Sequence, residues 1–218
     1  MNKTPQSAPW PDLKRDLIAI LRGLEPEDAL ETAGVLVDAG FEAIEVPLNS
    51  PDPFRSIEIV ANAFGDRILV GAGTVLTPAD VDRLADAGGR LLVSPNIDAA
   101  VMARAGEHEM VTMPGVFSPT EALAAVAAGA SGLKFFPASV LGPAGIKAIS
   151  AVLPPGLVIG AVGGVSDLDF EAYGRQGIRV FGLGSSIFRP GMDPAEIARR
   201  AKKTVATWDA VFTGTLEV

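Results

Sequence analysis

The 218-residue sequence predicts an α/β protein: a single-domain (β/α)8 barrel of the TIM type, preceded by a short amino-terminal extension. Three observations carry that prediction. A strand-length apolar run followed by a helical pattern recurs eight times, the connections are short, and no charge block, linker or composition shift divides the chain. Apolar strands of this kind suit burial on both faces, as in a parallel sheet. Eight units in about 200 residues fit a compact barrel better than an open doubly wound sheet.

Residues 1–12 are polar and proline-rich and are expected to form a flexible extension, with the barrel over 13–218. The first strand spans 17–23. Its helix opens with Pro26 among Glu25, Glu27 and Asp28, carries Leu30, Ala33, Gly34 and Val37 at helical spacing, and stops at Gly40. The second unit pairs a strand over 43–48 with a helix starting at Ser50-Pro51, where Phe54, Ile57 and Val60 form the apolar stripe. A third strand over 68–74 precedes a helix from Thr77-Pro78 to Gly88, and a fourth over 91–96 precedes a helix to about Gly106. The fifth strand spans 110–116. Ser118 then caps a helix, with Glu121 three residues on as a capping box requires. The sixth strand, 132–138, leads to a helix over 143–152. A seventh over 157–165 leads to a short helix over 167–173, and an eighth over 179–187 to a last helix from Asp193-Pro194 to about Phe212.

Composition narrows the function. Hydrophobic residues make up 48% and charged residues 20%, enough apolar material for a sizeable core. A net charge of -8 argues against nucleic acid as a general partner, whose phosphates need neutralising cations. The chain has no cysteine and one histidine, His108, so thiolate zinc sites are ruled out and no metal or other cofactor is expected. No stretch is long and apolar enough for a membrane span, and residues 1–12 lack a signal-peptide core, so a cytoplasmic location is expected.

A barrel's chemistry sits at the carboxyl ends of its strands. Of the six lysines only Lys134 falls in a predicted strand, inside the apolar run Leu133-Lys134-Phe135-Phe136. Burial disfavours an ammonium, which favours the nucleophilic free amine. Glu45 is likewise an acid within an apolar strand. Period two turns Lys134, Gly132 and Phe136 to one side of their strand and Glu45, Ala43 and Pro47 to one side of theirs. The pair could be a structural ion pair or an acid–base and nucleophile pair. Arg22 ends the first strand and could clamp a carboxylate. Thr74 and Pro95 close strands three and four and could line a pocket. Gly163-Gly164 and Gly182-Leu183-Gly184-Ser185-Ser186 end strands seven and eight, where barrels often bind phosphate through backbone N–H groups. An amine, an acid–base carboxyl, a carboxylate clamp and a phosphate cradle suit a Schiff-base aldolase. A phosphosugar isomerase or epimerase and a non-catalytic phosphosugar-binding barrel are the competing readings.

The motifs Ile20-Leu21-Arg22-Gly23, Glu45-Val46, Gly71-Ala72-Gly73-Thr74-Val75, Ser94-Pro95-Asn96, Pro114-Gly115, Leu133-Lys134-Phe135-Phe136-Pro137-Ala138 and Gly163-Gly164 occur together, in order. With them the sequence resembles the class I aldolases of the 2-keto-3-deoxy-6-phosphogluconate and 6-phosphogalactonate family. The resemblance implies that Lys134 forms the Schiff base and Glu45 moves protons. It also implies a phosphorylated keto-deoxy sugar acid as substrate and a homotrimeric assembly. Two positions depart from the phosphogluconate pattern. Asn49 stands where that branch carries the carboxylate-binding arginine, and Val162 where it carries threonine, and both resemble the phosphogalactonate branch.

Overall fold

A computed structural model describes residues 6–214. Nine parallel strands form a nearly closed barrel: β1 (Leu17–Ile20), β2 (Ala43–Pro47), β3 (Leu69–Gly73), β4 (Leu91–Val93), β5 (Val111–Met113), β6 (Gly115–Val116), β7 (Gly132–Phe135), β8 (Val158–Val162) and β9 (Val180–Leu183). Around them stand α1 (Pro26–Ala39), α2 (Pro53–Phe64), α3 (Pro78–Asp86), α4 (Ala99–Glu107), α5 (Pro119–Ala127), α6 (Ala138–Ser150), α7 (Phe170–Gly174) and α8 (Pro194–Phe212). The expected TIM-type barrel is the observed fold.

Nine strands arise from eight units because the fifth predicted strand divides at Pro114. A proline has no N–H for the ladder, so regular pairing breaks there. Before the break β5 pairs with β4, and after it β6 pairs with β7. The Pro114 carbonyl accepts from the Lys134 N–H at 3.0 Å, which ties the break to the strand carrying that lysine.

Two helix starts differ from the sequence expectation. The second helix begins at Pro53 rather than at Ser50-Pro51, because the Ser50 hydroxyl accepts from the Gly23 N–H at 2.9 Å and does not cap a helix. The sixth begins five residues early, at Ala138; Gly142 interrupts it with φ 66°, and the predicted segment resumes at Pro143. The capping box of Ser118 and Glu121 forms as expected.

The core has two layers. The larger lies between sheet and helices and includes the fully buried Phe41, Phe135, Phe170, Phe181 and Trp208, each worth roughly 2–3 kcal/mol of burial. The smaller fills the amino-terminal half of the barrel interior with Ile18, Ala43, Leu69, Leu91, Val111, Met113 and Val180. Apolar filling below leaves the carboxyl end open for chemistry. Arg15 fastens the last helix to the entrance of β1 by paired bonds to Asp209, at 2.7 and 2.6 Å.

Residues 6–12 of the expected extension lie against the barrel; residues 1–5 lie outside the described residues. Ala8 bridges to Val111, its N–H reaching the Met110 carbonyl at 2.9 Å. Ala8, Trp10 and Leu13 pack against the lower barrel core. Proline and polar composition conceal this, because the docking partners lie a hundred residues downstream. Among the described residues, no helix is long and apolar enough to cross a membrane.

Candidate active site

The carboxyl ends of the strands surround a pocket of about 770 Å³. Strand alternation aims the central groups into it. In register, Ile20 neighbours Glu45 and Glu45 neighbours Gly71, while Lys134 stands between Gly115 and Gly160. A Cβ on these glycines would meet neighbouring groups of the barrel: the Leu91 carbonyl from Gly71, the Pro95 carbonyl from Gly115 and the Met113 side chain from Gly160.

Lys134 is 6% exposed, and its ammonium lies 4.8 Å from the centre of the Phe136 ring. Burial lowers the pKa of the amine; the nearby Glu45 charge opposes that shift, and Arg22 adds to it. Glu45 is 2% exposed, and burial pushes its carboxyl up to about 7 against the opposing pull of Lys134 and Arg22. Glu45 Oε2 is buried with no hydrogen-bond partner among the described residues, so that oxygen is not occupied by an ion-pair bond there. A weakly basic amine and a carboxyl poised near neutrality can together add to a carbonyl and shuttle its protons.

Of the other residues singled out in the sequence, Arg22, Thr74, Pro95, Phe136, Val162, Gly163, Gly164, Gly184 and Ser185 line this pocket. Thr74 sits at φ 59°, a left-handed conformation uncommon for a residue with a β-carbon, right at the pocket wall. Gly163 and Gly164 have φ 91° and 73°, and a Cβ on Gly163 would fall 2.9 Å from the Phe136 ring. Only glycine lets this turn lie so close to that ring. Asn49 is the exception: it does not line the pocket. It lines an adjoining cleft with Thr74, and its Oδ1 accepts from Arg22 Nη1 at 2.5 Å, so it holds the clamp from the side.

Ser186, from the glycine-rich end of the last predicted strand, also lines the pocket, and three further polar residues join it that no sequence motif marks: Ser166, Arg189 and Arg200. Arg189 lies just past the last predicted strand. Arg200 is on the final helix, where an arginine reads as an ordinary surface residue; no local pattern marks it.

Fold and pocket together are those of a TIM-barrel aldolase. The KDPG and KHG aldolase family matches residues 13–199, and the chain belongs to that family of class I aldehyde-lyases. It is 62% identical over 206 residues to the probable 2-dehydro-3-deoxy-6-phosphogalactonate aldolase of Rhizobium meliloti, covering 94% of this chain and 97% of that one. It is 45% identical to the 2-dehydro-3-deoxy-6-phosphogalactonate aldolase of Escherichia coli, covering 89% and 95%. Among solved structures, a native KDPGal structure superposes with TM-score 0.91 at 43% identity, covering 94% of this chain and 99% of that chain. The KDPG aldolase of Legionella pneumophila, with pyruvate captured as a covalent carbinolamine, superposes with TM-score 0.75 at 30% identity, covering 90% and 94%.

Proposed function

We propose that this chain cleaves 2-dehydro-3-deoxy-6-phosphogalactonate to pyruvate and glyceraldehyde 3-phosphate through a Schiff base on Lys134. The observation that carries the reading is the buried amine of Lys134 sharing one pocket with the buried, near-neutral carboxyl of Glu45. The free amine of Lys134 adds to the C2 ketone, and loss of water from the carbinolamine gives an iminium. The iminium accepts the electron pair of the C3–C4 bond as the C4 hydroxyl loses its proton to the base. Glyceraldehyde 3-phosphate departs and an enamine remains on Lys134. Protonation at C3 and hydrolysis of the iminium release pyruvate and restore the amine. Glu45 carries the protons in both directions. Arg22 holds the substrate carboxylate, and the turns at Gly163-Gly164 and Gly184-Ser185 receive the phosphate.

The galactonate epimer is favoured because Val162, buried in the pocket wall, offers no hydroxyl for a substrate hydroxyl to bond. The reading includes a cytoplasmic homotrimer. A designed cage built from symmetric oligomeric domains, 44% identical with TM-score 0.90, supports an oligomeric state.

Borohydride reduction in the presence of pyruvate tests the mechanism. A pyruvyl adduct on Lys134, absent from Lys134→Ala, is expected; an unmodified wild-type protein overturns the Schiff base. Comparison of kcat/KM for the two C4 epimers tests the substrate, and a clear preference for the gluconate form overturns the assignment.

A further inference from the structure

The wall of the pocket after β9 carries more positive charge than its neighbours neutralise. Arg189 Nε donates to the Ser185 carbonyl at 3.2 Å. Arg200, arriving from α8, brings Nη1 to 3.5 Å from the same carbonyl and 3.4 Å from that of Ser186. Two guanidinium groups therefore converge on one carbonyl oxygen, although like charges repel. Arg200 Nε donates to Glu196 at 2.7 Å, and Arg199 engages the same carboxylate at 2.7 and 2.8 Å. Among the described residues Arg189 makes no salt bridge. Arg199 and Arg200 share one carboxylate and Arg189 adds a third charge, which leaves a net positive cluster. Elsewhere in the pocket lining the one acid is Glu45.

A locally uncompensated dication facing a cavity is costly alone and favourable once a dianion enters. Its place in the pocket indicates which anion. Arg22 follows β1, whose Ile20 pairs with Glu45, and lines the pocket with Glu45 and Lys134, so it serves the carboxylate next to the reacting C2 carbon. Arg189, just past β9, and Arg200, on α8, both reach the Ser185 carbonyl of the β9 turn, where the far end of the substrate is received. We infer that Arg189 and Arg200 are specificity-determining residues that select a phosphorylated substrate over its unphosphorylated counterpart. The inference rests on the aldolase reading and extends it to residues outside the glycine turns.

The test uses the addition direction, where pyruvate and the aldehyde are supplied separately. Wild type, Arg189→Ala, Arg200→Ala, Arg200→Lys and the double alanine variant are assayed with glyceraldehyde 3-phosphate and with glyceraldehyde. Each single alanine variant is expected to raise KM for the phosphorylated aldehyde about tenfold, the scale of one charged hydrogen bond, with kcat largely kept. Arg200→Lys restores part of the loss because it returns the charge without the fork. KM for glyceraldehyde and the borohydride-trapped pyruvyl adduct stay at wild-type values. Equal losses with both aldehydes, or an unchanged KM for glyceraldehyde 3-phosphate in the double variant, overturn the inference. If Arg200→Ala fails to fold, Arg189→Ala decides, since that side chain is exposed and makes no ion pair. A wild type that traps no pyruvate overturns the aldolase reading itself, a result distinct from these.

Discussion

The Glu45 carboxylate lies directly against Gly73. A Cβ at position 73 would fall 1.9 Å from Glu45 Oε2, and every atom it would meet first belongs to that side chain. Gly71, two residues earlier on β3, differs: its Cβ would fall 1.8 Å from the backbone oxygen of Leu91. Gly73→Ala is therefore expected to fold and displace the carboxyl, lowering kcat by about a hundredfold, the scale of a lost general acid–base group. Gly71→Ala should instead destabilise the sheet. Thermal unfolding and kcat measured on both variants separate the two glycines.

The pH dependence follows from the raised pKa of Glu45. Between the unfolded value of 4.5 and the folded value of about 7, the folded chain binds more protons at this position than the unfolded chain. Its contribution to stability is thus full below 4.5 and is lost as pH rises toward 7. Lys134 acts oppositely, its lowered pKa making stability rise with pH through the window below 10.5. Urea denaturation across pH 4.5 to 7 should show a decline in wild type that Glu45→Gln flattens. The same variant should remove a limb near pH 7 from the kcat/KM profile, a limb that belongs to the coupled pair.

Asn49 is expected to act through Arg22. Removing the acceptor in Asn49→Ala frees the guanidinium, and KM for pyruvate should rise about three- to tenfold, with kcat kept, for a bond of about 0.5–1.5 kcal/mol. A double-mutant cycle with Arg22→Ala checks this: the two changes should not add.

Val162 packs its γ-carbons against Gly182, 2.8 and 3.0 Å from where a Cβ would lie. Threonine has nearly the same shape, so Val162→Thr should fold. The added hydroxyl is expected to shift the ratio of kcat/KM values toward the gluconate epimer by about tenfold.

At the opposite end of the barrel, Ser131 Oγ accepts from the Thr112 N–H at 2.8 Å and donates to the Ala8 carbonyl. Ser131→Ala leaves both groups without this partner. A loss of about 1–3 kcal/mol is expected, seen as a Tm lowered by several degrees, with kcat unchanged at 25 °C.

Much of the molecule is legible locally. The strand–helix rhythm, the glycine stop after α1, the capping box at Ser118 and the start of α8 at Asp193-Pro194 all follow from residues within one or two turns of each other. Lys134 and Glu45 stand out for a similar reason, since a charge inside an apolar strand is visible in the strand itself. The start of α2 is not legible in this way, because the bond that diverts Ser50 comes from Gly23, across a strand boundary.

The sequence by itself determined the barrel, its single domain and the two buried ionisable groups, because periodicity and burial are encoded over short stretches. Tertiary structure alone decided that Pro114 splits the fifth strand between two partners, and that Asn49 bonds Arg22 from an adjoining cleft. It likewise decided that residues 6–12 close against the barrel, and that Arg189 and Arg200 meet on one carbonyl. Each of these depends on register and packing between segments distant in the chain, where no local pattern reaches.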